Sequence, residues 1–274
     1  MNDRQQTFLR EMGYTLWQMR QTQPADAAEN LPEPTEHCAA APSPVAAPPD
    51  VAREAPPSSP PLPPSPPSPP TPSASVPDTP ARNERAFAIA RMDWQELGEA
   101  IRECRACPLC QHRKQAVPGV GDRAADWLFI GEGPGAEEDR QGEPFVGQAG
   151  KLLDAMLAAI GMRRGENVYI ANAVKCRPEG NRTPLPGEMT ACRPFLLRQI
   201  ALIEPRLIVL LGKAAVHTIL GEDTALAALR RRTHRFGDIP VVVTYHPAYL
   251  LRNLPEKIKA WEDLCLARRT IRGG

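Results

Sequence analysis

Seven cysteines occur in the 274-residue chain, and four fall into two groups that can close around one metal site. Cys104-x2-Cys107 lies on or beside a helical stretch, so both thiolates can face one side. Cys176 and Cys192 flank a loop over Arg177–Gly187. Four thiolates from two separated segments suit a tetrahedral zinc ion or an iron–sulfur cluster. Zinc uses the same ligands, but it commonly prefers two short Cys-x2-Cys knuckles, and the second spacing here is long. Cys110 extends the first group to Cys-x2-Cys-x2-Cys. The plainer alternative is a set of buried cysteines acting as small hydrophobes. Cys38 and Cys265 stand apart and are expected to be unligated.

Four further segments carry polar chemistry beside glycines and aromatics. Gly131-Glu132-Gly133-Pro134-Gly135 is followed by Glu137, Glu138 and Asp139. Its glycines let the backbone approach a ligand, though a tight strand-to-helix turn would use them too. Its spacing matches neither a Walker A loop nor a dinucleotide fingerprint. Glu143-Pro144-Phe145-Val146-Gly147 holds an aromatic that can stack on a flat base; a lone Phe is more often core. Asn172 offers a donor and an acceptor together, a pairing that matches the O4 and N3–H edge of uracil and mismatches cytosine. An isolated Asn is more commonly a turn former. In Thr244-Tyr245-His246-Pro247-Ala248-Tyr249-Leu250-Leu251-Arg252-Asn253, a neutral His246 can donate to a developing anion. Leu250, Leu251 and Arg252 would form an apolar and basic tip able to wedge into a duplex, or the leucines belong to the core.

The elements that must position these residues alternate. The pattern predicts strands at 127–130, 168–171, 207–211 and within 239–245. It predicts helices at 94–105 (with Asp93 as N-cap), 149–160, 188–203, 213–220 and 256–271. Strands apolar throughout and alternating with helices indicate a parallel sheet covered on both faces. Ligands in such sheets bind at the carboxyl ends of the strands, which singles out the segments after Ile130, Ile170, Leu211 and Tyr245, with Phe145 on a loop close to that edge.

Composition sets the outer limits. Of 32 prolines, 19 lie between Pro32 and Pro80, where large apolar residues are almost absent. Residues 23–86 read as a disordered, partly polyproline II linker, leaving a globular domain over 87–274. Ahead of it, Phe8, Leu9, Met12, Leu16 and Met19 make residues 1–22 a short amphipathic helix that either docks on a protein partner or folds back. The net charge of +1 divides unevenly, with an acidic tail and a mildly basic domain that suits a phosphate backbone. No signal peptide and no stretch of transmembrane length is evident, so a cytoplasmic protein without a membrane partner is expected. In that compartment cysteines point to metal ligation rather than disulfides.

Taken in order, the run Gly131–Asp139, Pro144-Phe145-Val146-Gly147, Asn172-Ala173-Val174-Lys175-Cys176-Arg177-Pro178 and His246-Pro247-Ala248-Tyr249-Leu250-Leu251 closely resembles the family 4 uracil-DNA glycosylases, the iron–sulfur type. The resemblance covers about Trp94 to Ile271. It implies a three-layer α/β/α sandwich around a four-stranded parallel sheet and a monomer acting on uracil-containing DNA. It implies a [4Fe-4S] cluster on Cys104, Cys107, Cys176 and Cys192, with Cys110 an extra. By the same resemblance the uracil pocket falls on Glu132, Gly133, Glu138, Phe145, Asn172 and His246, with Asn181 near it. Glu132 is then the candidate to orient water, His246 to steady the leaving anion, and Leu250, Leu251 and Arg252 to meet the DNA. The loop after Cys176 lacks the basic, His-containing insertion of related enzymes that crosslink to uracil DNA, so turnover is expected. A redox module or a non-catalytic nucleic-acid binder are the competing function classes.

Overall fold

The computed structural model describes residues 80–273. The amphipathic segment 1–22 and all but the end of the Pro-rich linker lie outside the described residues. So does Cys38. Helix α1 (Pro80–Ile89) runs across the expected linker–domain boundary at residue 86. It is tied to the domain by Arg85, which donates to the Ala191 carbonyl at 2.9 Å and lies over the Phe195 ring at 4.8 Å.

The elements that follow are α2 (Trp94–Glu103), β1 (Val120–Gly121), β2 (Trp127–Gly131), α3 (Ala136–Gln141), α4 (Gln148–Ala159) and β3 (Val168–Asn172). After these come α5 (Pro186–Ile203), β4 (Leu207–Leu211), α6 (Lys213–Leu220), α7 (Leu226–Leu229), β5 (Thr233–Phe236), β6 (Ile239–Thr244), α8 (Pro247–Arg252) and α9 (Lys257–Gly273). Asp93 caps α2 as expected: its carboxylate accepts from the Gln95 and Glu96 N–H groups, and Glu96 returns a bond to the Asp93 N–H.

The sheet is mixed, in the order β1-β3-β2-β4-β6-β5. Its middle four strands are parallel, as the sequence pattern requires. The expected four-stranded sheet is nevertheless short by two edge strands, β1 and β5, both antiparallel. Neither carries an apolar signal. β1 is two residues containing a glycine, and β5 is Thr-His-Arg-Phe with half its positions exposed.

Side chains of the parallel strands alternate between two cores. Trp127, Phe129, Val168, Ile170, Val209 and Val242 pack under α4 and α9 on one face. Leu128, Ile130, Ala171, Ile208, Leu210 and Val243 pack under α5 and α6 on the other. This is the three-layer sandwich. Burial on both faces explains why each strand reads as a continuous apolar run. A smaller third core joins Ile89, Leu97, Ile101, Val174 and Phe195 to the cysteines beside α5. No helix among the described residues is long and apolar enough to cross a membrane.

Candidate active site

The loops leaving the carboxyl ends of β2, β3, β4 and β6 surround one cavity of about 630 Å³. Glu132, Gly133, Glu138, Phe145, Asn172, Asn181, His246 and Arg252 all line it, so most of the sequence-predicted residues meet.

Asn172 ends β3 and is buried. Its side-chain Oδ1 has no hydrogen-bond partner among the described residues. A buried acceptor left unpaired costs about 1–3 kcal/mol, which a ligand N–H entering the cavity would recover. Gly131 makes this arrangement possible. A Cβ there would sit 2.5 Å from Asn172 Oδ1 and 2.5 Å from the tip of the Phe145 ring.

Phe145 is buried and holds φ at +55°, a backbone state that bulky residues adopt only when their surroundings enforce it. Its ring stacks on His246, with centroids 5.4 Å apart and planes 28° from parallel. His246 caps α8: its Nδ1 accepts the Ala248 N–H at 3.1 Å. A neutral ring bonded this way carries its proton on Nε2. Burial, aided by the Arg252 charge and opposed by Glu138, lowers the His246 pKa to about 4, so the imidazole is neutral near pH 7.

Burial also raises the Glu132 carboxyl above its usual range, against a side-chain hydrogen bond from Thr183. Glu138 acts on the loop around the cavity. One carboxylate oxygen accepts from Val146 N–H and Gly147 N–H at 3.0 and 2.9 Å; the other accepts from Gly135 N–H at 3.1 Å. Asn181 stands at φ +57° in a single turn, its Oδ1 accepting from Arg177 Nε at 2.8 Å.

Leu250 corrects the sequence reading. It is fully buried in the core under α9 and cannot reach a duplex. Residues 247–252 form a helix, so adjacent leucines face apart. Leu251 and Tyr249 are exposed instead. Tyr249 lies 5.0 Å from Tyr245, which is held beneath the Arg230 guanidinium at 4.5 Å. Tyr245 and Lys213 also line the cavity; an aromatic next to His246 was the available signal for the first, and nothing in the periodicity marks the second.

The four cysteines gather in the third core, Cys176 and Cys192 buried, Cys104 and Cys107 half-buried. Burial pushes the Cys176 thiol up to about 11 and the Cys192 thiol up to about 12; neighbouring thiols add to both. Among the described residues, N–H groups point at sulfur. Arg113 donates to Cys176 Sγ at 2.8 Å, the Lys175 backbone to Cys192 Sγ at 3.3 Å, and Arg85 to Cys104 Sγ at 3.5 Å. Among the described residues, no three His, Cys, Asp or Glu side chains converge on a single-ion position. Cys110 follows Cys107 in a 3-10 turn, and Cys265 lies on α9. Lys175, fully buried, joins the two regions: its ammonium donates to the Asn172 carbonyl at 2.9 Å and to Gln199 Oε1 at 2.7 Å. Polar in type and next to a cysteine, Lys175 gave no sign of burial in the sequence.

A family model described as the uracil DNA glycosylase superfamily matches residues 118–265. A type-4 uracil-DNA glycosylase of Pyrobaculum aerophilum is 40% identical over 189 residues, 64% of this chain and 93% of that protein. One from Thermotoga maritima is 43% identical over 180 residues, again 64% and 93%. A type-5 uracil-DNA glycosylase of Thermus thermophilus is 31% identical over 176 residues, 53% of this chain and 78% of that protein. The family match spans the whole cavity, and the higher identity lies with the type-4 proteins along nearly their full length: the chain belongs to the uracil DNA glycosylase superfamily, in its type-4 branch.

Proposed function

We propose that this protein excises uracil from DNA by hydrolysing the bond between the base and deoxyribose, the first step of base excision repair. The observation that carries the reading is the cavity shared by a stacked Phe145–His246 pair and the Oδ1 of Asn172, which has no partner among the described residues.

The target nucleotide leaves the stack at a cost of a few kcal/mol, less at a mispaired U·G. Leu251, exposed beside Arg252, fills the vacated space, and Arg252 meets phosphate. The extruded base stacks on Phe145, worth about 1–3 kcal/mol. Asn172 Oδ1 accepts the uracil N3–H and its amide donates to O4. Cytosine presents the reverse polarity and leaves the buried amide unpaired. Glu138 sets the wall of the slot by holding the amides of Val146, Gly147 and Gly135, and this wall excludes the methyl group of thymine.

As the glycosidic bond breaks, its electron pair passes to the base and charge gathers on O2. The Nε2–H of neutral His246 donates to that oxygen; one such donor is typically worth about 2.7–4 kcal/mol. A water oxygen bonds to C1′ as the sugar becomes cationic, and Glu132 takes its proton, with Asn181 lining the same cavity.

The thiol region fits a four-thiolate cluster: all ligands are cysteine, they lie within electrostatic reach of one another, and N–H donors face three of the sulfurs. Cys104, Cys107, Cys176 and Cys192 would hold a [4Fe-4S] cluster. When bound it supplies a crosslink between α2, the loop after β3 and α5, and no electron transfer. The amphipathic residues 1–22 and the Pro-rich tether behind them would dock a separate protein near the repair site.

The test is incubation of the purified protein with uracil-containing and thymine-containing oligonucleotides, followed by alkali. Cleavage confined to the uracil position is expected. Strands left intact at uracil would overturn the proposal.

A further inference from the structure

Phe145 carries the base-stacking role in the reading above, and this inference rests on that reading. Its backbone is left-handed at φ +55°, and its carbonyl is pressed against Gly150, where a Cβ would lie 1.8 Å from the oxygen. Left to itself, a phenylalanine leaves such a conformation. Glu138 restrains the chain just after Phe145, through Val146 N–H and Gly147 N–H. The restraint on Phe145 itself comes from a residue outside the cavity.

Arg164 lies beyond the end of α4, 19 positions downstream. Its guanidinium donates to the Pro144 carbonyl at 2.8 Å through Nη1 and to the Phe145 carbonyl at 2.7 Å through Nη2. The two carbonyls lie on either side of the Phe145 Cα, and the planar fork of an arginine matches their spacing, which a point charge does not. The fork is aimed by Asp154 on α4, whose Oδ1 accepts from Nε at 3.0 Å and from Nη2 at 2.9 Å. The Arg164 side chain is mostly covered, at 22% exposure.

We infer that Arg164 is a positioning residue for uracil recognition, a clamp that holds Phe145 in its left-handed state and thereby keeps the ring stacked against His246. Arg164 touches no substrate. It acts through the two carbonyls, and Asp154 acts through Arg164.

The test combines a double-mutant cycle with hydrogen exchange, using the full-length protein as purified. Arg164→Ala, Phe145→Ala and the double variant are compared for uracil excision and for inhibition by free uracil. Arg164→Ala is expected to lower kcat/KM about 10- to 100-fold and to weaken uracil inhibition in step. It should have no further effect once Phe145 is alanine. Arg164→Lys should recover little, since an ammonium cannot serve both carbonyls and the carboxylate. Asp154→Asn, a milder change that keeps the carbonyl bonds, should give an intermediate loss, and it answers the question if Arg164→Ala fails to fold. Exchange at the Val146 and Gly147 amides should quicken in Arg164→Ala, whether or not the protein releases uracil. Unchanged exchange and wild-type uracil inhibition in both Arg164→Ala and Asp154→Asn would overturn the inference, as would losses that add independently to Phe145→Ala. A wild-type protein inert on uracil DNA would overturn the glycosylase reading alone, because the exchange result stands without it.

Discussion

The Lys175 ammonium donates to the carbonyl of Asn172, three residues before it, at 2.9 Å. That bond ties the strand end presenting the pocket amide to the segment presenting Cys176. Lys175 is almost wholly buried, and its second partner is Gln199 Oε1. Lys175→Met keeps most of the length and removes both bonds, leaving two acceptors, the Asn172 carbonyl and Gln199 Oε1, without this donor. Stability should fall by about 1–3 kcal/mol, read as a lower urea midpoint with unchanged slope. Excision of uracil should fall with it as Asn172 loses its brace. A midpoint matching wild type would show that the ammonium carries no structural load.

Asn172→Ala should reduce kcat/KM on uracil DNA by at least about 100-fold, since one side chain reads both polar positions of the base. Lys175 is bonded to the Asn172 backbone carbonyl, which alanine keeps, so visible absorbance should persist in the same preparation. Full activity in this variant would remove Asn172 from base recognition.

The pH dependence follows from His246, whose pKa is lowered from 6.5 to about 4 by burial. Below pH 6.5 the unfolded chain binds a proton that the folded protein refuses, so stability falls as pH drops from 6.5 toward 4 and is level above that window. At 1.36 kcal/mol per pH unit, the full loss from this one group is about 3 kcal/mol. His246→Gln should flatten the profile between pH 4 and 6.5. Its kcat should fall about 100- to 1,000-fold at pH 7 through the missing Nε2–H donor. Denaturation midpoints across that range check the first outcome and single-turnover excision the second.

Neighbouring leucines on α8 should behave in opposite ways. Leu250→Ala empties a core position and should cost about 2–5 kcal/mol of stability. Leu251→Ala, at a position 41% exposed, should change stability by no more than about 0.5 kcal/mol. It should slow excision from a duplex more than from a single strand, because only the duplex has a gap to fill. Equal slowing on both substrates would rule out a wedge.

Cys192→Ser should lower the iron content of the purified protein and its melting temperature together. The buried thiolate would otherwise help link α5 to the loop after β3. Cys265→Ser, on α9, should change neither. Iron retained in Cys192→Ser with Cys110→Ser depleting it would transfer the ligand role to Cys110.

The four parallel strands were legible in the sequence because burial on both faces leaves apolar runs with no competing pattern. Asp93 marked the start of α2 by local backbone chemistry. Gly131, Asn172 and His246 were legible as candidates because each sits where a strand ends, and a parallel sheet brings such positions to one edge; Phe145, between α3 and α4, stood out only through its place in the ordered motifs. The edge strands stayed hidden, since β1 has two residues and β5 takes its hydrogen bonds from β6 rather than its order from apolar side chains.

What the order of residues determined alone was local: which segments become buried strands, where helices begin and end, and which polar groups stand at strand ends. What only the tertiary structure decided was which side of each element faces what. It turned Leu250 into the core and Leu251 outward, buried Lys175 between pocket and thiols, and set Arg164 behind Phe145. These outcomes depend on contacts between residues far apart in the chain, and periodicity along one segment holds no record of what another segment will place against it.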